Sequence, residues 1–496
     1  DILPLARLFL AHQEQEDTRK ITKNAENGLL AKQYNQNNVK ELKDAIELAA
    51  LVADGDTVRS EHIFTGPMEQ VADHELDLTD FALIRFLIND KILAVLRGGV
   101  LTFFMVIIGL TLFFPDRIAG VIGNDLVWGA WWVFLVIGFL LIGRVWCTVC
   151  PLSTAGRIAS RIWSLAKSPP DYIKNSSPFL IPIGFVGIIW CEQIFHMTIN
   201  PKPTGFLLVA LIFLAVFFAL LFKRETWCRY LCPLGNFGSI FALSATLFVR
   251  SNPNVCSAKC TTHNCNKGSE EYAGCPVFHH PMFARNARIC KLCFNCLKSC
   301  PHGSARLYLR PPLVRIWQQL DIEETIGFFA LVFFFLAPCL LASERIPFLL
   351  GAKAFTLAAL AALVLAAICR YTLPTLLFGD DEQKLLRTTR LTLVLLLLAW
   401  GPFAAFQFGH ITGLDTLFVV SDQQGLLNAV LPEQGIPVLA LVQLSVIWFG
   451  ALMAVVTLLG MGWRVQQERA NIAGRNWFLA FGACLFYPLL NSLIIL

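Results

Sequence analysis

The residues that could do chemistry here are cysteines, and their spacing says which chemistry. The stretch Cys290-Lys-Leu-Cys-Phe-Asn-Cys-Leu-Lys-Ser-Cys-Pro301 reads C-x2-C-x2-C-x3-C-P. Thiolates are soft ligands for iron, and two-residue gaps let one tight loop present several sulfurs to adjacent corners of a [4Fe-4S] cube. The Cys before Pro301 is then left for a neighbouring cluster. Zinc is the competing reading, because C-x2-C pairs also build tetrahedral zinc sites. A second set, Cys256, Cys260, Cys265 and Cys275-Pro276, repeats the order with wider gaps. Two sets that lend each other their last Cys would hold two clusters. Cys290, Cys293, Cys296 and Cys275 form one group, and Cys256, Cys260, Cys265 and Cys300 the other. The irregular gaps of the upstream set leave open a single cluster with a spare zinc or disulfide site.

Two further pairs carry the same residue types. Cys147-Thr-Val-Cys150-Pro151 and Cys228-Arg-Tyr-Leu-Cys232-Pro233 each follow a Trp, Trp146 and Trp227, and lie near Arg144 and Arg229. Such thiols could ligate metal, cycle as a dithiol or contact a flavin, and a neighbouring cation favours the thiolate. Cys228, Cys232, Cys147 and Cys150 are therefore candidate redox thiols. Cys191, Cys339, Cys369 and Cys484 lie in apolar runs and read as packing residues. Glu192 in an apolar run is costly to bury and marks a candidate proton or quinone site. His196 and His410 could serve as haem ligands, but no C-x-x-C-H occurs. His279-His280 reads as a loop cap. No hydrolytic triad, phosphate loop or dinucleotide fingerprint stands out, so no catalytic residue is assigned.

The elements that position these residues are mostly apolar helices. The 496 residues are 56% hydrophobic, with a mean hydropathy of +0.60. Apolar runs of about 20 residues, enough to span the hydrocarbon layer, recur through the chain. The predicted spans lie near 97–115, 127–145, 178–198, 204–222, 325–342, 354–373, 390–409, 437–462 and 477–496. Lys and Arg cluster after the second, fourth, sixth and eighth spans, which puts those loops, the N-terminus and the cysteine-rich insert in the cytoplasm. Trp128, Trp131 and Trp132 fit an interfacial aromatic belt. The net charge of +5 is modest and gives no sign of nucleic-acid binding. Of the sixteen Cys, ten or more sit in metal-type spacings, which suits a reducing compartment. The sequence opens at Asp1 without a signal peptide and reads as a fragment or a processed numbering.

Residues 1–66 are polar and helical in pattern. Val39, Leu42, Ile46 and Ala49/Ala50 share one face at three-four spacing, and the stretch from Ala53 to Asp56 ends the helix. Residues 67–96 read as an acidic linker, carrying Glu69, Asp73, Glu75, Asp77 and Asp80, with an amphipathic lead-in. The predicted architecture is an all-α polytopic membrane protein with a small inserted bacterial-type two-cluster ferredoxin domain. Its parts are a helical segment (1–66), the linker (67–96), a four-span domain (97–250), the ferredoxin (251–315) and a five-span domain (316–496).

Two resemblances add to this. The segment from Arg144 to Pro151, the segment from Trp227 to Gly235 and the cysteine-rich insert resemble the membrane polyferredoxin family, which includes accessory proteins of periplasmic nitrate reductase and nitrous-oxide reductase. The similarity spans about residues 95–315. It implies two [4Fe-4S] clusters on the cytoplasmic face of a bacterial inner membrane. It also implies electron transfer between a quinol or cytoplasmic donor and a partner reductase. From the residues themselves, the thiol pairs bring flavin into view as a further cofactor, Glu192 brings quinone, and the apolar runs bring membrane lipid as a partner beside a redox protein. The first motif departs from the family's C-x3-C-P by having two residues between its Cys. The N-terminal segment, with Asn38-Val-Lys-Glu-Leu42, resembles the helical AAA+ lid of sigma-54-dependent activators. Lys40 stands where that family has its nucleotide-sensing Arg, and no phosphate loop is present, so contact with sigma-54 machinery would need an ATPase core upstream of Asp1. The expected role is an electron-transfer component rather than a stand-alone enzyme. A membrane redox sensor coupled to transcription and a maturation factor for a partner's metal centre are the alternatives.

Overall fold

The computed structural model describes all residues except 12–19, 31–33, 35–37, 54–56, 65–74, 285–286, 314–323, 346–350, 380–383, 411–434, 468–473 and 496. The expectations placed on Asp56, Glu69 and Asp73 lie outside the described residues. So do the side chains of Lys384, Arg387, Arg390, Arg464, Arg469 and Arg475, which carry part of the predicted orientation. The chain divides into two compact units. One is Asp1–Leu93 with Thr246–Pro311, and the other is Ala94–Ala245 with Pro312–Leu496.

The second unit is helical because lipid offers no partner for backbone N–H and C=O groups, so each segment must satisfy its own. Among the described residues, eight helices are long and apolar enough to cross a membrane. They are Asp90–Phe113, Ile118–Ile142, Asp171–Ile194, Pro201–Leu221, Ile326–Ser343, Ala352–Phe378, Leu391–Gly409 and Leu439–Met461. They make the chain a multi-pass membrane protein. Where a ninth span is predicted, Gly474–Ile495 is also an apolar helix. Aromatic rings fill the core between helices. Phe185 stacks on Phe237 at 4.7 Å between centroids, and Phe333 meets Phe403 edge-on at 5.0 Å. Trp400 donates its indole N–H to the Val136 carbonyl at 3.1 Å, tying the seventh span to the second.

The tryptophans correct one expectation. Trp128 and Trp132 are buried and do not form an exposed belt. They sit on a π-helical turn, Leu126–Trp132, inside the second span. A π turn adds a residue to the helical repeat and swings side chains off their regular face. Trp128 thereby reaches Thr204 Oγ1 at 3.0 Å on the fourth span.

In the first unit, the helices Ile2–Ala11, Lys23–Leu30 and Val39–Val52 enclose a small core of Ala6, Leu10, Leu29, Leu42, Ile46 and Val58. Val39, predicted for the buried face, is half exposed, because it opens the helix ahead of the packed turns. Strands β1 (Lys20–Ile21) and β2 (Thr57–Val58) pair in parallel. A second sheet has the order β3-β5-β4, with β3 Leu76–Asp77, β4 Leu247–Ser251 and β5 Ala305–Leu309, all antiparallel.

This sheet overturns two expected boundaries. Residues 75–80 are not linker. Glu75 meets Arg250 at 2.7 Å with both side chains 1% exposed, and Asp77 and Asp80 meet Arg306 at 2.8 and 2.9 Å. The cysteine-rich unit also begins before residue 251. Its first strand, β4, opens at Leu247 because it needs β5 as its hydrogen-bonding partner.

Candidate metal centres

Strands β4 and β5 hold the two ends of the cysteine-rich segment side by side, with Ser251 opposite Ala305. After β4, Asn252 caps the helix Pro253–Lys259 by accepting the Asn254 N–H at 3.0 Å. Cys256 lies on that helix and Cys260 ends it, so their three-residue gap places them about one turn apart. Cys265 follows on a short turn, Asn264–Lys267, entered through His263 at φ +50°. In the downstream set, Leu292 and Phe294 take φ +55° and +64°, which coils the loop tightly before Cys296 on the turn Asn295–Ser299. The two turns are alike in sequence: His263-Asn-Cys-Asn-Lys267 and Phe294-Asn-Cys-Leu-Lys298. This repeat was legible in the sequence, and it identifies the left-handed entry residue that spacing alone misses. Ser299 Oγ donates to the Asn264 carbonyl at 3.1 Å and joins the two turns.

The eight cysteines surround two cavities. Cys275, Cys290, Cys293 and Cys296 line one. Cys256, Cys260, Cys265 and Cys300 line the other. Backbone N–H groups point at the sulfurs: Leu292 at Cys290 (3.4 Å), His279 at Cys275 (3.3 Å) and Ser304 at Cys300 (3.3 Å). Among the described residues, no three His, Cys, Asp or Glu side chains stand close enough to hold one ion. The sulfurs enclose a space rather than converge on a point, which suits a multi-atom cube better than a tetrahedral zinc. Burial pushes the Cys265 and Cys296 thiols well up, and the neighbouring cysteines push them further. Four thiolates crowded in a low-dielectric pocket repel one another, and a bound cationic core removes that penalty. The residues present therefore fit a thiolate-ligated cluster in each cavity.

Two groups beside these cavities were not singled out from sequence. Lys291 is fully buried on the wall of the first cavity. His280 is buried at the second. Its Nδ1 accepts the Met282 N–H at 3.3 Å, so the loop-cap reading of the His279-His280 pair holds for His280. A neutral ring that accepts at Nδ1 carries its proton on Nε2. That atom lies 3.5 Å from Cys265 Sγ and 3.3 Å from His263 Nδ1. Burial holds the ring's pKa down at about 3, with His263 and His279 adding to the effect, so it stays neutral. Phe64 and Phe283 flank it at 5.4 and 5.7 Å between centroids.

The membrane unit brings the remaining candidate thiols together. Pro151 opens the helix Pro151–Ile162 and Pro233 opens Pro233–Phe241, so Cys150 and Cys232 each stand just before a helix N-terminus. A π turn at Trp227–Leu231 sets Cys228 ahead of the second Cys-Pro. The two turns are clasped by Glu225, which accepts from Ser153 Oγ at 3.0 Å and pairs with Arg157 at 3.8 Å. Cys147, Cys150, Cys228 and Cys232 then line a single cavity. Arg144, only 3% exposed, lies on its wall with Nη2 3.4 Å from the Cys228 carbonyl. The cation facing the thiols is thus Arg144, while Arg229 lies over the Tyr230 ring. Burial pushes the Cys232 thiol up to about 11, against the pull of the Gly235 N–H at 3.2 Å and of Arg144.

Glu192 is buried near the C-terminal end of the third span, 4.0 Å from His410 Nδ1. That places two residues flagged separately in the sequence beside one another. Cys484 is buried, and Cys339 donates to the Phe335 carbonyl at 3.3 Å as a helical packing residue.

Comparison with known proteins bears on the Cys-Pro turns. The family model of a 4Fe-4S binding domain matches residues 124–168 and 204–250. The chain is also 27% identical over 184 residues to the uncharacterized protein MJ0750 of Methanocaldococcus jannaschii, covering 34% of this chain and 73% of that protein. No solved structure matches the chain. The family match supports an iron–sulfur, ferredoxin-like family for this chain, and with the apolar helices it fits a membrane iron–sulfur electron-transfer protein.

Proposed function

We propose that the chain relays electrons through two [4Fe-4S] clusters, between a quinol or cytoplasmic donor and a partner redox protein. Cys275, Cys290, Cys293 and Cys296 would hold one cluster, and Cys256, Cys260, Cys265 and Cys300 the other. The observation that carries this reading is the division of eight cysteines, four and four, between two cavities of one unit. A cluster supplies one-electron redox chemistry when bound. A quinol releases two electrons and two protons, so it would deliver its electrons in two single steps. The protein's own residues set how readily each electron is accepted. N–H groups on the sulfurs of Cys275, Cys290 and Cys300 favour the more negative reduced state. Buried Lys291 does the same at the first cavity, and burial keeps water from the sulfurs. The Lys- and Arg-rich loops favour a cytoplasmic position for this unit.

The test uses sealed inner-membrane vesicles and a membrane-impermeant reductant. In inverted vesicles the reductant should produce the reduced-cluster signals in low-temperature EPR, and in right-side-out vesicles it should not. Added quinol should reduce the clusters in either orientation. Protein isolated anaerobically without iron or sulfide would overturn the reading.

His280 should tune only one of the two sites. His280→Phe keeps the ring's shape between Phe64 and Phe283 but removes the Nε2–H near Cys265. A hydrogen bond of roughly 1 kcal/mol corresponds to about 40 mV for one electron. The potential of the cluster at Cys256, Cys260, Cys265 and Cys300 should therefore fall by about that amount, with the other unmoved. A redox titration followed by EPR resolves the two, and equal potentials in variant and wild type would exclude the bond.

A further inference from the structure

The two segments matched as 4Fe-4S binding domain do not contain the downstream cysteine set. Each carries only two cysteines of a Cys-Pro turn, and two thiolates cannot ligate a cube. Packing resolves the shortfall, because Cys147 and Cys150 from one segment and Cys228 and Cys232 from the other share one cavity. We propose that these four cysteines form a third iron–sulfur site, one [4Fe-4S] cluster pooled from both halves at the membrane edge, with Arg144 as its buried counter-charge. The proposal rests on the iron–sulfur reading above and adds a centre to it.

Three observations support a cube over other occupants. All four cysteines line one space, two from each matched segment. No three of the described potential ligands approach closely enough for a single ion. The rest of the wall is apolar, from side chains such as Phe104, Trp131 and Leu208, and would insulate a redox centre from water. The buried guanidinium gives the charge argument. An oxidised cube with four thiolates is a dianion overall, and Arg144 on the cavity wall meets it. Gly235 keeps the space open. A Cβ there would lie 3.1 Å from Arg144 Nη2, so even Ala would press on the guanidinium, and it would touch Cys232 Sγ at 3.4 Å. The Gly235 N–H, 3.2 Å from Cys232 Sγ, adds the same type of N–H···S contact seen at the other two sites.

The experiment is iron and acid-labile sulfide analysis with EPR on the full chain, purified anaerobically. Wild type should carry about twelve irons and twelve sulfides, as three cubes require. Cys228→Ser with Cys232→Ser should leave about eight of each, and Cys147→Ser with Cys150→Ser should give the same loss. Retention of the other eight reports that the variants are folded. Arg144→Gln should keep the iron but lower the reduced-to-oxidised ratio of the third signal about tenfold at fixed potential, which is about 59 mV. Arg144→Lys should restore most of it. About eight irons in wild type, unchanged in both Cys-Pro variants, would overturn the third site and leave the two-cluster reading standing. One extra zinc or iron without added sulfide would replace the cube by a single ion. Absence of all iron would instead overturn the electron-transfer reading itself.

Discussion

Cys290→Ser with Cys296→Ser should lose about four irons and four acid-labile sulfides per chain and one of the reduced-cluster EPR signals. The loss follows from ligand chemistry. Ser offers a hard oxygen in place of a soft sulfur, and two of the four ligands at that cavity disappear together. The effect should stay local, because Cys256, Cys260, Cys265 and Cys300 face a different cavity. The loop should also loosen. Leu292 and Phe294 hold left-handed backbone at φ +55° and +64°, which for non-Gly residues costs roughly 1–3 kcal/mol each. Cluster binding offsets that strain, since the free energy of ligation is also free energy of folding. Limited proteolysis of the variant should therefore cut between Cys290 and Cys296, where wild type resists. Full iron content in the double variant would show that these sulfurs are not ligands.

Arg250→Met should destabilise the cysteine-rich unit by about 3–5 kcal/mol, because it leaves Glu75 buried without its partner. Both side chains are almost wholly inaccessible, so solvent screens little of the interaction. The pair also bridges distant parts of the chain, joining the segment ahead of β3 to β4. Thermal bleaching of the iron–sulfur absorption in detergent reads the change. Glu75→Leu in the same chain should recover most of the loss, since removing both charges leaves no buried ion uncompensated. If Arg250→Met bleaches at the wild-type temperature, the ion pair does not hold the unit together.

The sequence by itself determined the features that arise locally. Membrane helices were legible because each needs only about 20 contiguous apolar residues, and all eight long apolar helices fall at predicted spans. The helical character of residues 39–52 was legible from its three-four pattern, although Val39 at its first turn escapes burial. The grouping of the eight insert cysteines came from spacing, and the two cavities gather the same two groups of four. The structure alone decided what joins residues far apart in the chain, for which no local period exists. Glu75 read as linker until its partner 175 positions away was placed beside it. Trp128 and Trp132 read as part of an interfacial aromatic belt, and they lie buried on a π turn. Arg229 looked like the cation for the second thiol pair because it lies between its cysteines, whereas burial gave that place to Arg144. The two Cys-Pro turns looked like separate pairs, and helix packing clasped by Glu225 and Ser153 made them one four-cysteine wall. Side chains can be listed from sequence, but which of them share a low-dielectric pocket is set by how the helices pack.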